Sequence, residues 1–309
     1  MLSWVRRQAV RGYESLLRLE LSGAPAHVAV IQDGNRRYAR KEGEEKTEGY
    51  REGAETTEQV LDWCDELGIR ELTLYAFSME NFERPEEEQE AIFDLVEDKL
   101  YEFADAERVH DAEVHIRAIG ETHRLPDRVQ DAVRYAESRT SEYDRLQLNI
   151  ALAYGGRAEL LGAARDVARD VAGGDVDPAD IDADTVANRL YEGPVRDVDL
   201  IIRTGGDERT SNFLPWHANG NEAAAFFCTP YWPEFRKIDF LRAIRTYQHR
   251  EDSWRTAKAR RALAMVRAVG SAELDEARSI LQRFRDALPS EERSEATEAV
   301  GDEELEAAD

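Results

Sequence analysis

HVAVIQDGNRRYARKEG, residues 27–43, opens on a short apolar run and turns polar at Gln32. HVAVI suits a buried strand. Asp33-Gly34-Asn35 reads as a turn, and Arg36, Arg37 and Tyr38 begin a helix-prone stretch. A glycine after a strand lets backbone N–H groups approach phosphate oxygens, and a new helix N-terminus favours negative charge. By itself Asp-Gly-Asn is ordinary turn chemistry. The alternation continues downstream, however: ELTLYAF (71–77), EVHIRAIG (113–120), LQLNIALAY (146–154) and DVDLIIRT (197–204) read as strands separated by helical patterns. Such alternation predicts a single α/β domain with a mostly parallel central sheet flanked by helices. Sheets of this kind bind ligands beyond the carboxyl ends of their strands.

A second polar segment follows the last of these strands. RTGGDERTSNFLPWHANGNE, residues 203–222, places Arg203 and Arg209 in a Gly-rich turn, with Thr210, Ser211 and Asn212 after them and Glu222 at the end. Guanidinium groups offer planar, paired donors and keep their charge, which suits a diphosphate. Asp33, at the end of the first strand, is a carboxylate of the kind magnesium takes together with substrate phosphates. The residues alone describe an anion site with carboxylates near it.

Composition narrows the class. The chain has 309 residues, 42% hydrophobic, which supports a real core and excludes wholesale disorder. Its net charge is −24, and its only lysines are at 41, 46, 99, 237 and 258. Abundant carboxylate with scarce lysine fits a salt-rich cytosol, where self-repulsion is screened. So acidic a chain argues against nucleic acid as a partner. Two cysteines, Cys64 and Cys228, are too few for a disulfide framework and fit a reducing, cytoplasmic location. No apolar run reaches membrane-spanning length.

Residues 1–24 read as an N-terminal helix, not a signal peptide. Its Leu2, Val5, Ala9, Leu16 and Leu17 with Arg6, Arg7 and Arg11 suit either a membrane surface or packing against the domain. The domain is expected over 25–288, followed by an acidic, disordered tail over 289–309. Within it, EEEQEAIFDLVEDKLYEFADA predicts a helix with a broad buried face. Residues 171–197 predict a loop and a short helix starting near Asp184; DVDPADIDAD lacks the glycine and terminal glutamate of a calcium loop. A last helix is expected over about 254–286.

DGNRRY (33–38), LYAFSMENFERP (74–85), LNIALAYGGR (148–157), DLIIRTGGDERTSNFLPW (199–216) and WPEF (232–235) occur in that order. Together they closely resemble the cis-prenyltransferases, the undecaprenyl diphosphate synthase family, over roughly residues 25–250. The resemblance implies that fold, with a hydrophobic tunnel for the growing chain, and sequential addition of isopentenyl diphosphate to an allylic prenyl diphosphate. It assigns the allylic diphosphate to Gly34, Asn35, Arg37 and their neighbours Arg36 and Tyr38, supported by Lys46 and Tyr50. Asp33 becomes the central catalytic residue and shares Mg2+ with Glu222. Asn81, with Ser78, Met79 and Glu80, lies where proton removal occurs; an amide is a poor base, so it is expected to orient the substrate. Arg203, Arg209, Thr210 and Ser211 match the incoming diphosphate site, and Phe82 and Arg84 its aromatic wall and supporting cation.

There are departures from the family pattern. Arg36 replaces its usual glycine, Tyr38 its tryptophan, Lys46 an arginine and Tyr50 a histidine, while Glu208 stands where a histidine precedes the second arginine. Tyr50 keeps one hydrogen bond for phosphate but cannot become cationic. The string YWPEFRKIDFLRAIRTYQ resembles archaeal members, which implies geranylgeranyl diphosphate as acceptor and a medium-length polyprenyl product for a lipid glycan carrier. A homodimer is implied too, with Arg245, Tyr247 and Arg250 either reaching the partner's site or ending a surface helix. Peripheral membrane contact would serve product release. The alternatives are a weakly active or noncatalytic partner subunit of a hetero-oligomer, and a trans-prenyltransferase or terpene synthase, which the lack of a DDxxD run disfavours.

Overall fold

The structure, a computed structural model, describes residues 12–190, 196–218, 223–268, 280, 283–289 and 292–293. Two compact units divide the chain, Met1–Thr246 and Tyr247–Asp309. The first holds a six-stranded, wholly parallel sheet: β1 His27–Ile31, β2 Glu71–Tyr75, β3 Val114–Ile119, β4 Leu146–Ala151, β5 Leu200–Arg203 and β6 Ala224–Phe227. The strand order is β3-β4-β2-β1-β5-β6. Val28, Ala29 and Val30 are fully buried, as strands covered on both faces require.

Helices fill the connections: α1 (12–20), α2 Asn35–Glu42, α3 Lys46–Leu67, α4 Glu86–Asp105, α5 Glu107–Asp111, α6 Asp127–Thr140, α7 Gly156–Gly173, α8 Ala183–Ala187 and α9 Lys237–Ala268. The expected α/β architecture is therefore present. From β1 the chain builds β2, β3 and β4 on one side, then returns to place β5 and β6 on the other. The crevice between β1 and β5 is the switch point where such sheets bind ligands.

Two expectations need correction. β6 was not anticipated, because its four residues AAFF form too short a run to stand out, and pairing with β5 supplies the order. The last helix starts at Lys237 and not near 254: Ile238, Leu241 and Ile244 repeat at helical spacing, and Asp239 Oδ2 accepts the Arg236 N–H at 3.3 Å. The acids of 177–182 are spent on helix starts, with Asp177 accepting from Ala179 N and Asp182 from Thr185 N, both at 2.8 Å. Leu17 of α1 packs on Ile238 and Leu241, whereas Leu2, Val5, Ala9 and the three arginines near them lie outside the described residues, as does most of the 289–309 tail. Among the described residues no helix is long and apolar enough to cross a membrane.

Candidate active site

Asp33 leaves β1 at the switch point, and Gly34 turns the chain at φ 108° into α2. A Cβ there would sit 2.7 Å from the Tyr231 ring, so only glycine satisfies both the backbone angle and the space. One turn into α2, Arg37 reaches back: Nη2 donates to Asp33 Oδ1 and Nη1 to the Gly205 carbonyl, each at 2.8 Å. Arg203, the last residue of β5, is 3% exposed and donates to Asp33 Oδ2 at 2.8 Å. It also holds its own loop, through Asp207 at 3.1 Å, Ser211 Oγ at 2.7 Å and the Arg209 carbonyl at 2.6 Å. Thr204 Oγ1 donates to the Asp33 carbonyl at 2.7 Å, tying the two strand ends. Burial pushes the Asp33 carboxyl up, but the hydrogen bonds from Arg203 and Arg37 prevail and hold it below the usual carboxylate range.

The loop beyond β5 is strained and pinned. Ser211, Asn212 and Leu214 have φ of 49°, 59° and 49°, a region that costs side-chain-bearing residues energy. The N-terminus of α7 holds them: the Asn212 carbonyl accepts from Gly156 N at 3.0 Å and its Oδ1 from Arg157 N at 3.1 Å. Leu214 N donates to the Tyr154 hydroxyl at 3.2 Å, and that hydroxyl donates to Glu159 at 2.6 Å. Burial pushes the Glu159 carboxyl up to about 8. Folded Glu159 thus keeps a proton that the unfolded chain releases near 4.5, so stability falls as pH rises from 4.5 to about 8. Glu159→Gln is expected to flatten that slope in melting temperature, and an unchanged slope would refute this link. Arg209, with a side chain 67% exposed, pairs only with Asp207 among the described residues, at 3.2 Å, and is open to a ligand.

A second cationic arc faces this one. Lys46 and Tyr50 on α3 donate to Glu88 of α4 at 2.9 and 3.0 Å, Arg84 donates at 3.0 Å, and Arg36 approaches to 3.4 Å. Tyr50 and Arg84 also bond each other. Burial pushes the Glu88 carboxyl up, yet the hydrogen bonds of Lys46 and Tyr50 and the charges of Arg36 and Arg84 bring it below the ordinary range. Sequence reasoning missed Glu88; its signal is the Arg84-to-Glu88 spacing of one helical turn. Lys46 and Tyr50 come this close because α3 presses on the Asp-Gly-Asn turn, where Cβ atoms at Gly49 and Gly53 would lie 2.3 and 2.5 Å from Asn35.

Between the arcs lies a cavity of ≈ 350 Å³. Asp33, Asn35, Arg203, Arg209 and Ser211 line its mouth on one side, and Tyr50, Arg84, Ser78, Glu80 and Asn81 on the other. The rest of the lining is mostly apolar, with Leu74, Ile92, Leu95, Val96, Leu100 and Phe103, and includes Lys99 and Thr57. Asn81 Oδ1 accepts the Ser78 N–H at 2.9 Å, which fixes the amide and takes up its oxygen as an acceptor. Among the described residues, the buried Asn35 Oδ1 and Arg203 Nε have no partner, as expected where a ligand or water completes the bonding.

Other expected site residues stand back from the cavity. Tyr38 donates to Glu52 at 2.7 Å, and Phe82 packs edge-on against Phe77 at 5.0 Å with the Arg124 guanidinium 4.9 Å over its ring. Met79 Sδ accepts from Arg124 at 3.5 Å, and Thr210 is exposed on the loop. Glu222 lies outside the described residues.

The sequence profile of the undecaprenyl diphosphate synthase family of prenyltransferases matches residues 31–255. A tritrans,polycis-undecaprenyl-diphosphate synthase (geranylgeranyl-diphosphate specific) of Haloarcula marismortui is 69% identical over 309 residues, 100% of both chains. Its Halobacterium salinarum counterpart, of the same name, is 68% identical over 93% of this chain and 94% of its own. Among solved structures, lavandulyl diphosphate synthase from Lavandula x intermedia, in complex with dimethylallyl diphosphate, superposes with a TM-score of 0.68 at 32% identity. That match covers 73% of this chain and 95% of the plant chain. Fold, motif order and likeness over the full length agree: the chain belongs to the undecaprenyl diphosphate synthase family of cis-prenyltransferases.

Proposed function

We propose that this chain condenses isopentenyl diphosphate sequentially, in cis, onto geranylgeranyl diphosphate, making a medium-length polyprenyl diphosphate for a lipid glycan carrier. The observation that carries this reading is the two-sided cationic mouth around Asp33 opening onto an apolar-walled cavity. In each cycle the allylic carbon–oxygen bond breaks, a carbon–carbon bond forms to the isopentenyl double bond, and one proton leaves. Gly34, Asn35 and Arg37 receive the departing diphosphate, while Arg203, Arg209 and Ser211 hold the incoming one. Asn81 orients the reacting carbons by its amide N–H groups, because its oxygen is already engaged. A diphosphate oxygen takes the proton.

Asp33 is the kind of hard oxygen donor that magnesium takes when phosphates supply most of its other ligands. Asp33 and Glu222 would hold it, and when bound it neutralises charge developing on the leaving diphosphate. We also read the chain as a cytoplasmic homodimer, which the mass of the active species in solution tests.

The acceptor reading is supported by the names of the haloarchaeal relatives and by the acid-rich, lysine-poor composition. In one molar-salt reaction offered both acceptors, geranylgeranyl-primed product is expected to exceed farnesyl-primed product at least tenfold. One extra isoprene unit buried against the cavity wall supports that ratio at about 1.4 kcal/mol per tenfold. A farnesyl excess would overturn the acceptor, and no product from either acceptor would favour a noncatalytic subunit.

A further inference from the structure

Gln32 stands between the end of β1 and Asp33, and its side chain lines the cavity. α3 shows how deep it lies. Tyr50 meets Glu88 at the cationic rim, Gly53 sits against the Asn35 side chain, and Thr57, one helical turn further on, meets Gln32. At 1.5 Å per residue Thr57 stands about 6 Å beyond Gly53 along the helix. With a diphosphate resting on Gly34, Asn35 and Arg37, the Gln32 amide is beside the first carbons of the allylic group.

The hydrogen bonds fix which way that amide turns. Thr57 Oγ1 donates to the Gly53 carbonyl at 3.0 Å, so towards Gln32 it can only accept. Gln32 Nε2 supplies that bond at 2.7 Å. The Gln32 carbonyl oxygen is left with no donor among the described residues, on a side chain that faces the cavity. An acceptor covered by a hydrocarbon loses its water and gains no partner, which disfavours the resting complex. It is satisfied only when positive charge appears in front of it, and an interaction stronger in the transition state than in the ground state accelerates the chemical step.

Condensation produces such a charge. The electron pair of the allylic carbon–oxygen bond leaves with the diphosphate, spreading positive charge over allylic C1 and C3. The isopentenyl π pair then forms the new carbon–carbon bond and leaves a tertiary cation, until a proton departs to a diphosphate oxygen. We propose that the Gln32 carbonyl oxygen is a catalytic group that stabilises this transient cation, and that Thr57 is the residue that positions it. Gln32 exchanges no proton or electron pair with the substrate. Its dipole is already aimed when the charge forms, so no reorientation is needed. This rests on the prenyl-transfer reading above.

The test measures binding of two geranylgeranyl diphosphate analogues to the full chain at its assay salt, without isopentenyl diphosphate. In one, a protonated nitrogen replaces allylic C3; in the other, a thiolodiphosphate, sulfur replaces the bridging oxygen and the allylic carbons stay neutral. Gln32→Leu is expected to weaken the ammonium analogue about tenfold or more and the thiolo analogue less than about threefold, with kcat of the first condensation falling alongside the former. Thr57→Val should shift the same ratio in the same direction, and the double variant should lose no more than Gln32→Leu alone. Wild-type condensation of the natural acceptor reports whether the prenyl-transfer reading holds; the ratio of the two affinities reports on Gln32. Should Gln32→Leu lose its cooperative melting transition, Gln32→Met is measured by the same criterion. Equal weakening of both analogues, or an unchanged ratio, in a folded variant overturns the proposal.

Discussion

Asp33→Ala is expected to keep a native melting transition and to lose turnover by about a thousandfold or more. The fold survives because Arg203 retains Asp207 and Ser211, so its guanidinium is not stranded in the core. On the proposed role of Asp33 turnover does not survive, because the carboxylate that would hold magnesium against the departing diphosphate is gone. Charge stabilisation of this type is worth several kcal/mol, and each 1.36 kcal/mol is roughly a decade in rate. Chelation should silence the wild type in the same way, with magnesium restoring it. A folded Asp33→Ala enzyme with near-normal turnover, or full activity after chelation, would remove Asp33 and its metal from the mechanism.

The two loop arginines should part company. Arg203→Ala deletes charged hydrogen bonds to Asp33 and Asp207 and two further bonds that shape the strained loop. At about 1.5–3 kcal/mol for each charged bond, kcat/KM should fall at least a hundredfold and the melting temperature should drop as well. Arg209→Ala removes an exposed side chain with one carboxylate partner, so KM for isopentenyl diphosphate should rise about tenfold with the melting temperature unchanged. Equal effects of both substitutions on KM and on melting would contradict the division of labour read from their burial.

What sequence could deliver here follows from the range of each interaction. HVAVI and DVDLII announce strands because both sheet faces are covered, and the residues after them announce the anion site because strand ends and ligand site coincide. AAFF does not announce β6, since its order comes from β5 and not from local preference. Tyr38 and Phe82 match their family positions yet turn to Glu52 and Phe77, because a motif fixes where a side chain starts and the packing around it fixes where it ends. Glu88 escaped notice as one acid among many; only the convergence of Lys46, Tyr50, Arg84 and Arg36 singles it out. Gln32 is likewise unremarkable at a strand end until Thr57, 25 residues later, is brought opposite it.

The pairing of β1 with β5 has a consequence for how the protein is made. Asp33 and Arg203 are 170 residues apart, so the contact at the heart of the site closes a very long loop. Contacts of that range form late, because loop entropy is spent before they contribute anything. A chain still emerging from the ribosome carries Asp33 and Arg37 but neither β5 nor the loop that supplies Arg203, Arg209 and Ser211. Such a half-built protein offers a diphosphate one weak side of a two-sided grip. On the proposed assignment of the site, substrate capture would therefore wait for the docking of β5, and an unfinished chain would hold a diphosphate only weakly.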